Sequence, residues 1–144
     1  MARKDFRFAH PLRVRWVEVD KQDIVFNGHY LMYFDVGITE YWRAAGIRYP
    51  EELVAAGGDL FVVKATVEYH DSARFDDELD VAIRVRKIGR TSLTFAAEIH
   101  RGAEHLISGE IVYVNAHPHE RRPVPVPDGL RATLERFEGR PLSG

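Results

Sequence analysis

Asp20-Lys21-Gln22-Asp23-Ile24-Val25-Phe26-Asn27-Gly28-His29-Tyr30 is the stretch on which the reading of this chain turns. An acidic residue is followed by an apolar run and then by a helix-start signal. Two carboxylates, an asparagine and a histidine therefore meet where a strand gives way to a long helix. Downstream, Leu31, Phe34, Ile38, Tyr41, Trp42 and Ala45 recur at helical spacing, and Gly46 follows as the C-terminal stop. This predicts one helix of about four turns. Its apolar stripe is broad and rich in aromatics, so the helix needs a partner larger than a second helix. Upstream, Leu12 to Val19 alternate between apolar and charged residues, which predicts a first strand.

The partner lies in the second half, as period-2 segments over Phe61 to Tyr69, Leu79 to Ile88, Ser92 to His100 and His105 to Asn115. In the second of these, Leu79, Val81, Ile83 and Val85 alternate with Asp80, Ala82, Arg84 and Arg86, the pattern of a half-buried strand. Gly89-Arg90 and the stretch from Arg101 to Glu104 are short enough for hairpin turns, so the last three strands form an antiparallel meander. The stretch from His117 to Asp128 carries four prolines and must be extended or looped, and Leu130 to Phe137 suits a short closing helix. The count is five strands and one long helix, an α+β chain whose sheet wraps one face of the helix. The other face and the edge strands are to be shielded by other means, most economically by association of subunits.

At 144 residues with 45% apolar side chains, the chain has the size of one domain, residues 1–144, with no repeat or linker to divide it. A net charge of -2 disfavours nucleic acid as a partner. The absence of cysteine rules out a disulfide framework or a thiolate zinc site and suits a reducing cytosol. No stretch approaches the ~18 apolar residues of a membrane span, and the N-terminus lacks the apolar core of a signal peptide. The expectation is a cytoplasmic protein with neither membrane nor nucleic-acid partner.

The residues around the helix start suit acyl transfer: a carboxylate serves as base or nucleophile, and backbone N–H groups at a helix N-terminus stabilise an oxyanion. The order of elements and the motif together resemble the hotdog-fold thioesterases, specifically the 4-hydroxybenzoyl-CoA thioesterase-like group. The residues that carry the resemblance are Asp20, the run Ile24-Val25-Phe26, Asn27 and Tyr30, with the stretch from Asp71 to Leu79 resembling the family's entry into its third strand. The similarity runs from roughly Val14 to Leu134. It implies a hotdog fold, a five-stranded antiparallel sheet wrapped around one long central helix. It also implies an acyl-CoA substrate, no cofactor and no metal, and a homodimer joined edge to edge, often paired into a homotetramer. Asp20 falls on the family's catalytic carboxylate, and Asn27 falls where a backbone N–H polarises the thioester oxygen. Relatives commonly have glycine where this chain has Asp23, which tolerates a left-handed turn less readily and adds a second negative charge.

Each candidate has a plainer reading. Asp20 could close a turn, Asp23 could be a solvated turn residue, and Asn27 could cap the helix with its side chain. Histidine is the residue type suited to proton transfer near neutral pH, so His29 could protonate the leaving thiolate, although CoA thiolate leaves with little help. Phe26 and Tyr30 are candidates for substrate binding, but aromatic residues such as Tyr30, Tyr33 and Phe34 more often pack a core or an interface. Arg84, Arg86, Lys87 and Arg90 cluster at a hairpin, and Lys87 and Arg90 are the candidates for holding CoA phosphates. His117 and His119 look like a ligand pair but lack a third ligand, so no metal is expected there. Two rivals remain: a hotdog enoyl-thioester hydratase or dehydratase, which makes His29 indispensable, and a non-catalytic acyl-CoA binding protein.

Overall fold

Period-2 patterning requires one face of each strand to be buried, and the stretch from Leu79 to Val85 obeys: Leu79, Val81, Ile83 and Val85 are all inaccessible to solvent. A computed structural model describes residues 3–143. Its strands are β1 (Phe8–Arg13), β2 (Asp59–Tyr69), β3 (Glu78–Ile88), β4 (Ser92–Arg101) and β5 (Glu104–Ala116). Its helices are α1 (His29–Ala45), the single-turn α2 (Glu51–Val54) and α3 (Asp128–Glu138). All strand pairs are antiparallel, in the order β1-β3-β4-β5-β2. Thus β3, β4 and β5 form the expected meander, and β1 and β2 are the edges. The long helix lies on one face of this sheet, the hotdog arrangement that the resemblance implied.

A bulge in β3 corrects its phase. The register shifts between Val85 and Lys87, so the inward set changes from odd to even numbers and Ile88 is buried. α1 ends at Gly46 in the left-handed conformation, φ 77°, as its sequence position required. Two glycines let the helix approach the sheet. A Cβ on Gly37 would stand 2.7 Å from Val81 Cγ1 and 2.9 Å from Ile83 Cγ1. One on Gly109 would enter the ring of Phe34 and come within 2.9 Å of the Thr66 carbonyl oxygen.

α3 closes the end of the core. Buried Glu138 accepts the Tyr41 hydroxyl at 2.5 Å and the Val85 N–H at 3.0 Å, joining α1, α3 and the bulged strand. Burial of the Tyr41 phenol and its neighbouring carboxylate raise its pKa, so it stays a hydrogen-bond donor.

The first strand departs from expectation. β1 spans Phe8–Arg13, and the stretch read as its continuation to Val19 contains a 3₁₀ turn over Trp16–Glu18. The apparent alternation inverts there: Trp16 is 71% exposed and Glu18 only 3%. α2 had no counterpart in the sequence reading. Among the described residues no helix is long and apolar enough to cross a membrane.

The close approach of α1 yields a test. Gly109→Ala is expected to lower the unfolding free energy by about 1–3 kcal/mol, because Phe34 or β2 must shift. Gly129→Ala, where nothing lies within 4 Å, is expected to leave it unchanged or raise it by under about 1 kcal/mol. Urea denaturation of both variants checks the contrast.

Candidate active site

The 3₁₀ turn exists because a buried carboxylate must be satisfied. Glu18 accepts the Arg15 backbone N–H at 2.8 Å, the Arg15 guanidinium at 3.0 and 2.7 Å, and the Tyr33 hydroxyl at 2.9 Å. Burial works to raise its pKa, but these donors outweigh that and hold it below the ordinary value. Tyr33 is shifted up, chiefly by burial and then by the same contact, so it remains the donor. The loop ahead of α1 is thereby fixed to the second turn of the helix.

From Glu18 the chain makes a small hairpin, with Val19 bridged to Val25. Asp23 N–H donates to Asp20 O at 3.0 Å, and Asp20 N–H donates to Ile24 O at 2.9 Å. Asp23 occupies the left-handed region at φ 64°, the glycine-like position of a turn that ends in a bulge. Aspartate thus takes a conformation that favours glycine. The motif therefore lies in a turn followed by a helix, not where a strand gives way to one. Asp20 Oδ1 accepts the Gln22 N–H at 2.8 Å, which closes the turn with one carboxylate oxygen.

Backbone bonds carry this turn to the helix. Phe26 N–H donates to Glu18 O at 3.0 Å, and His29 N–H donates to Phe26 O at 2.9 Å. Val25 N–H donates to Ala73 O at 2.9 Å, and Ala73 N–H donates to the Tyr30 hydroxyl at 3.0 Å. The Tyr69 hydroxyl donates to Asn27 O at 3.2 Å. The segment from Asp71 to Leu79 is thus both the entry to β3 and the second wall of the site. The residue preceding α1 is Gly28, with no side-chain cap, so Asn27 does not cap the helix. The Asn27 and Gly28 N–H groups have no hydrogen-bond acceptor among the described residues, and the positive end of α1 begins there.

Asp20 and Phe26 stand on the two strands of one small hairpin, and Asn27 and His29 follow it into α1. His29 stands edge-on to Phe26, ring centroids 5.6 Å apart, and no hydrogen bond joins it to Asp20 or Asp23. Tyr30 is buried, edge-on to Tyr33 and Tyr69, so it supports the site from within the core. Lys87 and Arg90 are exposed at the β3–β4 hairpin. Ten strand steps, roughly 30 Å, separate that hairpin from the Glu78 end of β3 that adjoins the site, so one chain does not bring them to Asp20. Instead Arg101 reaches the wall of the site, donating to Ser72 O at 3.2 Å and pairing with Asp77 at 2.7 Å. His117 caps its own turn by accepting the His119 and Glu120 N–H groups on Nδ1.

A cavity of about 200 Å³ opens along α1, lined by Leu31, Phe34, Asp35, Ile38, Val62 and Tyr113 among others. Burial first and Asp35 second push the Tyr113 phenol up to about 12. Glu18, Tyr69, Ala73 and this cleft escaped the sequence reading. Their contacts span 15 to 43 positions, and the one signal was a glutamate set among Trp16, Val17 and Val19.

Comparison with known proteins gives one family model, the thioesterase superfamily, matching residues 22–108. The acyl-CoA thioester hydrolase YbgC of Escherichia coli O6:H1 is 28% identical over 131 residues, covering 90% of this chain and 96% of the relative. Among solved structures, a Thermus thermophilus thioesterase complexed with coenzyme A and Zn superposes with TM-score 0.81 at 26% identity, covering 96% of this chain and 99% of that one. A 1,4-dihydroxy-2-naphthoyl-CoA thioesterase from Synechocystis shares the fold, with TM-score 0.80 at 17% identity and coverage of 88% and 94%.

Glu18→Gln is expected to cost about 1–3 kcal/mol at neutral pH by weakening the bonds to Arg15 and Tyr33. Because folding lowers the Glu18 pKa, this contribution is complete above the ordinary carboxyl value of 4.5. It is lost as pH falls through the lower folded-state value. Denaturation of wild type and variant across pH 3–7 checks the convergence at acid pH.

Proposed function

The chain belongs to the thioesterase superfamily, and on that premise we propose that it hydrolyses an acyl-CoA thioester to a carboxylic acid and CoA. The observation that carries the reading is the coupling of Asp20, through one turn and a few backbone bonds, to a helix start with unengaged N–H groups. The thioester carbonyl lies against the Asn27 and Gly28 N–H groups, and the Asp20 carboxylate faces the carbonyl carbon. Asp20 Oδ2 either adds to that carbon or takes a proton from the water that does. In the first course the tetrahedral oxyanion collapses, the C–S bond breaks, CoA thiolate leaves, and water cleaves the resulting anhydride. In the second, hydroxide supplies the new C–O bond and the same thiolate leaves. In both, the N–H groups hold charge that develops on the carbonyl oxygen, where preorganised donors contribute most.

His29 is dispensable in this reading, because a thiolate leaves without a strong acid. The apolar cleft beside Leu31 and Phe34 suits a compact apolar acyl group. The names of the YbgC relatives support CoA as the carrier. The exposed side chains of edge strand β2, Val62 and Val63 among them, support pairing of subunits into a homodimer, or a tetramer of two such dimers, that would bring a second chain to the cleft. The lack of cysteine suits a cytoplasmic setting.

Thiol release from a panel of aryl- and acyl-CoA esters tests the reading. Asp20→Asn is expected to lower kcat/KM by ~100-fold or more, with His29→Ala within a few-fold of wild type. Hydration of an enoyl-CoA without thiol release, abolished by His29→Ala, would replace hydrolysis with the hydratase reaction. Saturable ester binding with no turnover would make the chain a binding protein.

A further inference from the structure

The two faces of β4 differ in chemistry. Leu93, Phe95, Ala97 and Ile99 join the core beneath α1. Thr94, Glu98 and His100 alternate with them and point the other way, yet Glu98 and His100 are only 4% and 5% exposed. Glu98 Oε1 lies 2.8 Å from His100 Nε2 and 3.8 Å from Nε2 of His105 on β5. One donor atom from each of the three residues lies within 4.8 Å of the other two. The His100 and His105 rings stack, centroids 4.8 Å apart and 15° from parallel. Ser108 Oγ then links His105 Nε2 to His70 Nε2, at 2.9 Å on each side.

We propose that Glu98, His100 and His105 bind one divalent transition-metal ion of the zinc class, on the face of the sheet opposite α1. Two imidazoles and a carboxylate are borderline donors, which suit zinc, cobalt or nickel rather than magnesium or calcium. Bonds of about 2.0–2.1 Å place neighbouring donors of a tetrahedral ion roughly 3.3 Å apart. The Glu98 separations of 2.8 and 3.8 Å bracket that value; the widest donor separation, up to 4.8 Å, closes to it by a movement of roughly 1.5 Å as the half-exposed His105 ring turns out of its stack on His100. A buried carboxylate beside two imidazoles gains from a cation that all three share. Loading replaces the Glu98–His100 hydrogen bond and displaces both Ser108 Oγ and the Ile107 carbonyl oxygen from His105 Nε2, while Ser108 keeps His70 as its partner. His105, 35% exposed at its side chain, is the side from which the ion enters, and water completes the coordination. The ion joins β4 to β5 away from α1 and takes no part in the thioester chemistry.

The test uses full-length, tag-free protein stripped with a chelator. Competition with a chromophoric indicator is expected to show one tight Zn²⁺ equivalent per chain, and Co²⁺ to give the intense visible bands of a tetrahedral site. Zn²⁺ is expected to raise the wild-type melting temperature. Glu98→Gln and His105→Ala are expected to weaken binding at least ~10-fold and to remove that rise, whereas His119→Ala changes neither. His105→Ala alters a part-exposed side chain, which guards against a folding failure at buried Glu98. No tight equivalent in wild type, or binding unchanged in His105→Ala, overturns the proposal.

Discussion

A carboxylate taken almost wholly out of water must recover its lost hydration from the protein, and Glu18 does so under α1. Its partners come from two places, the backbone and guanidinium of Arg15 and the hydroxyl of Tyr33. The first forces the 3₁₀ turn, and the second fixes that turn to the helix. Asp20 lies two residues on, past the bridged Val19 and at the start of the tight turn. The position of the candidate carboxylate relative to the helix start is therefore set by a carboxylate that is no candidate for the chemistry.

The helix itself is located by the sheet. Gly37 and Gly109 remove the side chains that would hold α1 away from β3 and β5, while Tyr41 and Glu138 tie its middle to α3 and to the bulge of β3. With the helix fixed, the segment between β2 and β3 closes on its first turn through Ala73, Tyr30 and Tyr69. The groups left unengaged are backbone N–H donors at the end of a rigid element. Such an arrangement requires little reorganisation when charge develops on a carbonyl oxygen. It also explains how the site tolerates Asp23: the turn needs a left-handed residue, and aspartate is among the few non-glycine residues that adopt that conformation at modest cost.

Much of this was legible in the sequence where one dominant periodicity operates. α1 and its Gly46 stop, strands β2 to β5, the meander and the closing helix follow from apolar spacing and turn residues in the sequence. The first strand was misplaced because Arg13, Val14, Arg15 and Trp16 mimic alternation while the chain is leaving the sheet, and a buried glutamate inverts the usual assignment of polar residues to solvent. Within one chain, Lys87 and Arg90 stand at the far end of the 11-residue β3 from the site. Asp20 stands out as a candidate through its spacing to Asn27. The bonds through Glu18, Tyr69 and Ala73 were not, because each joins distant segments by single contacts that leave no period.

The proposed function places the thioester carbonyl at the start of α1 with Asp20 beside it. A crystal structure with a hydrolysis-resistant acyl-CoA analogue that keeps the carbonyl tests it most directly. The expected result is the carbonyl oxygen within hydrogen-bond distance of the Asn27 or Gly28 N–H, with an Asp20 carboxylate oxygen, from the same chain or a partner, next to the carbonyl carbon or to a water poised on it. An analogue bound with its carbonyl away from the helix start, or with no Asp20 carboxylate near it, would contradict the account.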